Sequence, residues 1–121
     1  MCIRDRPWAA VVWAGATVGH VLPFARWRNG GKGVATGGGG ALALFPVLSL
    51  LLIACFAVLV KFTKRASVGS LAITSALFLG VAITHQNLIE VAAASVVSAV
   101  IIYRHRSNIS RLLSGEELKV S

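Results

Sequence analysis

Charged side chains are scarce in this sequence, and acidic ones are the scarcest. Charged residues make up 13% of the 121 residues, with four Asp or Glu against twelve Lys or Arg, whereas a soluble domain carries about 25%. The hydrophobic fraction is 56% and the mean hydropathy is +0.79. The few charges are clustered between long apolar runs, which excludes an ordinary soluble domain and indicates an integral membrane protein.

Cysteine is also rare, and the two cysteines, Cys2 and Cys55, suggest neither a disulfide nor a cysteine-based metal site. The formal net charge of +8 would suggest nucleic acid in a soluble chain. Here the basic clusters flank apolar segments, where the positive-inside bias and contact with anionic lipid explain them. We therefore expect membrane lipid and no nucleic acid as a partner. Anionic substrates are a second possible cause, which composition does not separate from the first.

Glycine, in contrast, is concentrated in one place. Seven of the twelve glycines lie within NGGKGVATGGGG, residues 29–40. Backbone without a Cβ can aim successive N–H groups at one point, and such a concavity beside Lys32 could hold a phosphate. A helix starting near Val34 would strengthen the site through its positive end. The residue after Lys32 is Gly33, which excludes a Walker A loop, and Thr36 excludes the dinucleotide fingerprint.

A flexible hinge between two membrane helices is the alternative interpretation of these glycines. The nearby cations Arg26, Arg28 and Lys32, together with His20, favour an anion site. His20 lies at a helix end, where an interfacial role is an equal alternative to a functional one.

The apolar runs predict an all-α, polytopic helical membrane protein forming a single domain over residues 7–121. They cover residues 7–22, 34–60, 68–83 and 88–103. One straight span over 34–60 would put its flanking basic clusters on opposite faces, against the positive-inside rule. Pro46 near its middle favours a break. We predict two short helices, 34–44 and 46–60, that enter and return, so that all basic clusters face the cytoplasm. Residues 1–6, MCIRDR, are unlike the rest, and we interpret them as an artefact outside the fold.

Two further groups of polar residues follow the apolar runs. Ser67 and Ser70 open a predicted helix and could cap it, Ser67 being the better candidate, or contact phosphate if their loop faces the glycines. His105 is flanked by Arg104 and Arg106. If the last helix continues, Arg104, His105, Asn108 and Arg111 are expected to share a face. A solvated basic collar is the alternative for this group.

Residues 19–36, GHVLPFARWRNGGKGVAT, resemble the second motif of the bacterial membrane glycerol-3-phosphate acyltransferases that use acyl phosphate, the PlsY family. RHRSNISRLLSGEELK, residues 104–119, is similar to that family's third motif, and KRASVGS resembles the loop between them. The family's first motif is absent, and Asn29 stands where the family usually has a basic residue. We therefore interpret the chain as incomplete at its N-terminus and expect little activity from it alone.

The resemblance implies transfer of a fatty acyl group from acyl phosphate to glycerol 3-phosphate, giving 1-acylglycerol 3-phosphate and phosphate, the first acylation of phospholipid synthesis. It implies no cofactor and no metal, a multi-pass location in the bacterial inner membrane, and dependence on an enzyme that forms acyl phosphate. A non-enzymatic membrane module or transporter fragment that binds an organic phosphate is the alternative. A structural fragment without a ligand is the third interpretation.

Motif matches and residue chemistry together suggest roles for individual residues. His105 and Asn108 are the candidate catalytic residues, and Glu117 is expected to brace the basic cluster. The candidate substrate- and phosphate-binding residues are His20, Gly30, Gly31, Lys32, Gly33, Thr36, Ser67, Ser70, Arg104 and Arg111.

Overall fold

The fold is a bundle of α-helices, in agreement with the predicted fold class. The computed structural model describes residues 5–21, 34–84 and 87–116. Its helices are α1 (Arg6–Val21), α2 (Val34–Leu44), α3 (Pro46–Thr63), α4 (Ala66–Thr84), α5 (Leu88–Arg104) and α6 (Arg106–Ser114). The predicted division of the long apolar run into 34–44 and 46–60 is confirmed, with α3 three residues longer than predicted.

The chain reverses direction between α2 and α3, as predicted from Pro46. Pro46 is at the first position of α3, where its missing N–H costs no helical hydrogen bond. Leu48 packs on Gly80 and Phe56 on Gly69, so α3 runs antiparallel to α4. A Cβ placed on Gly37 would lie 3.0 Å from the side chain of Ile101.

The direction of α2 follows from one more contact. Ser98 of α5 donates to the carbonyl oxygen of Thr74 at 3.2 Å, and only three residues separate α4 from α5. The two packed helices therefore run antiparallel, which places the last turns of α5 beside the first turns of α4. Gly37, against Ile101, therefore lies at the same end of the bundle as Gly69 and Phe56. Helix α2 runs away from that end and α3 returns to it. We call it the basic end, because Lys61 lies in the last turn of α3 there and Lys64 and Arg65 follow that helix, and we call the other the turn end.

A polar cluster holds the turn end together. Arg6 lies 3.1 Å from a carboxylate oxygen of Glu90 and donates to the carbonyl oxygen of Leu44 at 2.8 Å. Its guanidinium also lies 5.3 Å from the ring centroid of Phe45, and the side chain of Asn87 caps α5 by accepting from two backbone N–H groups. Arg6 was left out of the fold prediction with residues 1–6; it is part of α1. That residues 1–6 are foreign to the domain stays a prediction.

Small side chains let α1, α2 and α5 approach closely in the core. The indole N–H of Trp13 donates to the carbonyl oxygen of Gly37 at 2.9 Å, and the Trp13 ring meets Phe45 edge-on at 5.9 Å. Gly40 lies directly under the indole, with no room for a Cβ. The alanines packed around this contact are Ala10, Ala14, Ala41, Ala93 and Ala94. Close backbone approach through small residues is typical of helix contacts in membranes.

Within the described residues, α3 and α4 are long and apolar enough to cross a bilayer, with 18 and 19 residues. Helix α5 joins α6 at a bend of 54°, and the bent pair counts as a third span if it is taken as one. Helix α5 therefore does not continue straight past His105. The predicted shared face around His105 depended on such a continuation. Ser67 is the second residue of α4 and Ser70 the fifth, so neither occupies the N-cap position.

Gly40→Ala is expected to destabilise the bundle, because the new methyl would overlap the Trp13 ring and push it from its hydrogen bond with Gly37. Overpacking of this kind costs about 1–3 kcal/mol. Unfolding in mixed micelles with increasing SDS measures the change. Gly39→Ala is the matched control: no atom lies within 4 Å of its Cβ position, so its stability should stay at or above that of the parent. Equal stability of the two variants would contradict the packing described for Trp13.

Candidate functional site

Antiparallel pairing of α4 and α5 places two candidate residues at one height. Starting from the Ser98–Thr74 hydrogen bond, seven residues along α5 lead to His105. Seven residues back along α4 lead to Ser67, and each path covers about 10 Å. Both residues are buried, with 2% and 7% of their surface exposed. The basic end thus brings the α4 serines to the height of the third motif.

His105 is fixed at the corner between α5 and α6. Its backbone N–H donates to the carbonyl oxygens of Ile101 and Ile102 at 3.1 and 3.0 Å, and its ring Nδ1 lies 2.8 Å from the Ile101 carbonyl oxygen. A carbonyl can only accept, so Nδ1 carries the proton. In the neutral ring, Nε2 is then the nitrogen with the acceptor lone pair. The backbone of His105, at φ −95° and ψ 10°, is in the sparsely populated region where many active-site residues are found.

The residues after His105 continue the site along α6. Asn108 is buried at 8% exposure and, three residues after His105, is its neighbour on α6. Arg111 is half-buried and is in turn the neighbour of Asn108, three residues further along. Arg104 is half-buried as well. Arg106 is exposed, stacks over the ring of Tyr103 at 4.4 Å and donates to the Tyr103 carbonyl oxygen. The structure thus separates Arg106 from the buried side of this group.

Three helices begin at the basic end, namely α2, α4 and α6. Their first N–H groups and positive dipole ends favour anions. The predicted helix start at Val34 is confirmed. Thr36 is the third residue of α2 and is half-buried, next to Gly37 in its contact with Ile101. The positive potential of the basic end therefore has two sources, the basic side chains and the helix termini.

The other candidates lie at or beyond the border of the described residues. His20 is exposed in the last turn of α1, one turn past Thr17, whose methyl group approaches Gly37. It therefore belongs to the basic end. Gly30, Gly31, Lys32, Gly33 and Glu117 lie outside the described residues. Within residues 5–21, 34–84 and 87–116, no three His, Cys, Asp or Glu side chains lie close enough to hold a metal ion.

The structure also contains a feature that sequence reasoning missed, an apolar cavity of about 290 Å³ between α2, α3 and α4. Gly38 and Gly39 line it without a side chain to fill it. The run of four glycines at residues 37–40 is the sequence feature that could have indicated this cavity. The sequence does not say which of them pack against a neighbour, as Gly37 and Gly40 do, and which leave space.

The bundle and its basic end define a polytopic helical membrane protein with a buried histidine, amide and serine hydroxyls beside basic side chains. The family model described as glycerol-3-phosphate acyltransferase matches residues 2–115, and the chain belongs to this family. The resemblance seen in the motifs is thereby confirmed.

Individual relatives agree with the family model. A glycerol-3-phosphate acyltransferase of Fusobacterium nucleatum is 43% identical over 91 residues, 75% of this chain and 47% of the relative. One from Staphylococcus carnosus is 36% identical over 110 residues, 91% of this chain and 54% of the relative. The chain spans about half the length of these curated relatives.

A solved structure also resembles the chain. The crystal structure of PlsY (YgiH), described as an integral membrane glycerol 3-phosphate acyltransferase in its glycerol 3-phosphate form, superposes with a TM-score of 0.82 at 33% identity. The match covers 88% of this chain and 53% of that one. A second structure of PlsY, in its lysophosphatidic acid form, gives a TM-score of 0.81.

His105→Ala should lower the stability of the α5–α6 corner by about 1–2 kcal/mol, because the Ile101 carbonyl loses the ring N–H bonded to it. His105→Asn carries an amide N–H that can reach the same carbonyl, so it should recover most of this loss while lacking Nε2. Unfolding free energies of parent and variants in mixed micelles provide the measurement. If Asn destabilises as much as Ala, the ring does not hold the corner through Nδ1.

Proposed function

We propose that this chain forms part of a bacterial membrane enzyme that transfers a fatty acyl group from acyl phosphate to glycerol 3-phosphate, and that it contributes two of the enzyme's motifs. The products would be 1-acylglycerol 3-phosphate and inorganic phosphate. Family membership supports the reaction class. The single structural observation that carries the proposal is buried His105, whose Nδ1 is engaged by the Ile101 carbonyl. In the neutral ring this leaves the acceptor lone pair on Nε2, and we assign to Nε2 the role of proton acceptor.

The proposed chemistry requires little covalent help from the protein. Acyl phosphate is a mixed anhydride and is already activated, so no nucleophilic serine or cysteine is needed. A hydroxyl oxygen of glycerol 3-phosphate attacks the acyl carbon, and its proton passes to Nε2 of His105. The bond between the acyl carbon and the phosphate oxygen then breaks, and the electron pair leaves with the phosphate. Orientation, proton transfer and stabilisation of that charge are the contributions required of the protein.

Both substrates carry phosphate, so two anion sites are required. We assign one to the glycine loop, where the backbone of Gly30, Gly31 and Gly33, the ammonium of Lys32 and the start of α2 provide donors. We assign the second to residues that lie with His105 at the basic end, namely Arg104, Arg111, Ser67 and Ser70. Asn108 orients substrate. In this assignment His20 and Thr36 border the glycine loop, and Glu117 braces the basic cluster by ion pairing.

A chimera tests the proposal on a protein of full family length. Replacing the matching 110-residue segment of the Staphylococcus carnosus relative by this chain should give an enzyme that consumes palmitoyl phosphate only with glycerol 3-phosphate present. In the chimera, Gly33→Ala should mainly raise KM for glycerol 3-phosphate, because a side chain blocks close approach of backbone to phosphate. His105→Ala should mainly lower kcat, by about 10²–10⁴-fold.

The alternative function predicts a different outcome for the same protein. A non-enzymatic phosphate-binding module would bind glycerol 3-phosphate without consuming the acyl donor. Equal effects of the two substitutions on KM and kcat, measured with both substrates saturating in turn, would contradict the division of roles. They would favour one composite phosphate site built from both motifs.

We further propose that the basic end faces the cytoplasm of the bacterial inner membrane, where an acyl-phosphate-forming enzyme would supply the donor. The support is that α1, α3 and α5 end, and α2 and α4 begin, at one end that carries the basic residues, as the positive-inside rule expects.

Position 64 provides the test of this orientation. Lys64 is exposed after the last turn of α3, so Lys64→Cys in a background with Cys2 and Cys55 replaced by Ser should react with a membrane-impermeant maleimide only after the cells are opened. A cysteine placed at Asn87, exposed at the turn end, is the matched control and should react in intact cells. Labelling of position 64 from outside would contradict the orientation.

A further inference from the structure

Helix α2 has few side chains with which to fix its own position. Four consecutive glycines occupy residues 37–40, and glycine is the poorest helix former after proline. The buried residues of α2 are Gly37, Ala41 and Leu44, of which only Leu44, at the turn end, has a large side chain. Rows of side chains determine how one packed helix sits against another. Near the basic end, the height and rotation of α2 therefore depend on directional contacts from other helices.

Helix α1 donates hydrogen bonds to both ends of α2. Arg6 donates to the carbonyl oxygen of Leu44 at the turn end, and the indole N–H of Trp13 donates to the carbonyl oxygen of Gly37 at 2.9 Å. Gly37 comes three residues after Val34, the first residue of α2, which is about 4.5 Å along the helix. The Trp13 hydrogen bond therefore holds α2 within one turn of its start.

The indole of Trp13 is itself held in place. Trp13 is 5% exposed, its ring lies directly against Gly40, and it meets the ring of Phe45 edge-on with the centroids 5.9 Å apart. A large ring packed in this way has little freedom to turn, so the direction of its N–H group is determined. The indole therefore selects one carbonyl oxygen of α2, that of Gly37.

Gly37 also contacts the helix that leads to the candidate proton acceptor. A Cβ placed on Gly37 would lie 3.0 Å from the side chain of Ile101 and 3.2 Å from that of Val97, so α2 and α5 approach closely here. The carbonyl oxygen of the same Ile101 lies 2.8 Å from Nδ1 of His105. A shift of α2 away from its bond with Trp13 would therefore move the start of α2 relative to the His105 corner.

We propose that Trp13 is a positioning residue, whose N–H holds the start of α2 in the place beside the His105 corner that glycerol 3-phosphate requires. This inference rests on the proposed function, which assigns the first N–H groups of α2 to a phosphate. Without the hydrogen bond, α2 can slide or rotate over its glycines, and only a fraction of the molecules has the phosphate donors in place. The apparent affinity falls in proportion to that fraction, whereas molecules that have bound substrate react normally. Trp13 should therefore act on KM for glycerol 3-phosphate and not on kcat.

Trp13→Phe in the full-length chimera removes the N–H group and keeps an aromatic ring beside Gly40. It should raise KM for glycerol 3-phosphate roughly threefold to tenfold, the scale of one net hydrogen bond, with kcat and KM for palmitoyl phosphate within about twofold of the parent's values. Trp8→Phe is the matched control, because Trp8 is also a tryptophan of α1 but is 70% exposed. All of its kinetic constants should equal those of the parent.

A second variant breaks the same hydrogen bond from the side of α2. Gly40→Ala keeps the indole N–H but pushes the ring away from Gly37, so it should raise the same KM by a similar factor. Val81→Ala separates this effect from a general loss of stability. Val81 is fully buried in the last turn of α4, at the turn end, and its truncation should destabilise the bundle without changing KM for glycerol 3-phosphate.

The possible failures are distinguishable. An unchanged KM for glycerol 3-phosphate in an active Trp13→Phe variant, or a loss shared equally by kcat and both KM values, would overturn the positioning role and leave the proposed reaction standing. An equal rise of this KM in Val81→Ala would overturn it as well. If Trp13→Phe does not accumulate, the same outcomes for Gly40→Ala decide. A parent chimera that binds glycerol 3-phosphate without consuming palmitoyl phosphate would instead overturn the proposed function.

Discussion

A reversal of the chain inside an apolar layer has to satisfy its own backbone, and the rest of this structure depends on how that is done. Lipid offers no hydrogen bonds to a broken helix. At the α2–α3 turn, Arg6 donates to the carbonyl oxygen of Leu44, and the carbonyl oxygen of Phe45 accepts from the N–H of Ser49. Glu90 balances the charge that this requires. Because the turn is stable there, α2 can start at the basic end and α3 can return to it.

The sequence predicted this reversal because two independent constraints agreed. The distribution of basic residues required both ends of the 34–60 run on one side, and Pro46 provided the break. The stabilising partner was not predictable in the same way. Arg6 and Glu90 are 84 positions apart, and only the parallel packing of α1 and α5 brings them together. The abrupt composition of the first six residues pointed away from Arg6 altogether.

In the candidate site, too, some features were predictable from the sequence and others were not. Motif resemblance selected His105, Asn108 and the α4 serines, and the helix ends place these at one end of the bundle. The corner at His105 was not visible in the sequence, because no proline or glycine marks it. The ring itself supports the corner by donating to the Ile101 carbonyl. The same hydrogen bond that shapes the backbone thus also selects the tautomer of the ring.

The lengths of the helices have a consequence for the surrounding lipid. Helices α1 and α5 have 16 and 17 residues, or about 24–26 Å, whereas the hydrocarbon core of a bilayer is about 30 Å thick. Helix α3 has 18 residues, and Ser49 is the only one of them that is buried within the described part of the chain. Where a helix of this length spans the bilayer with lipid beside it, the bilayer has to thin by several ångströms, at a cost that rises with each ångström of mismatch. Bilayer thickness is therefore a physical variable to which this fold is sensitive, and thin membranes are its more compatible environment.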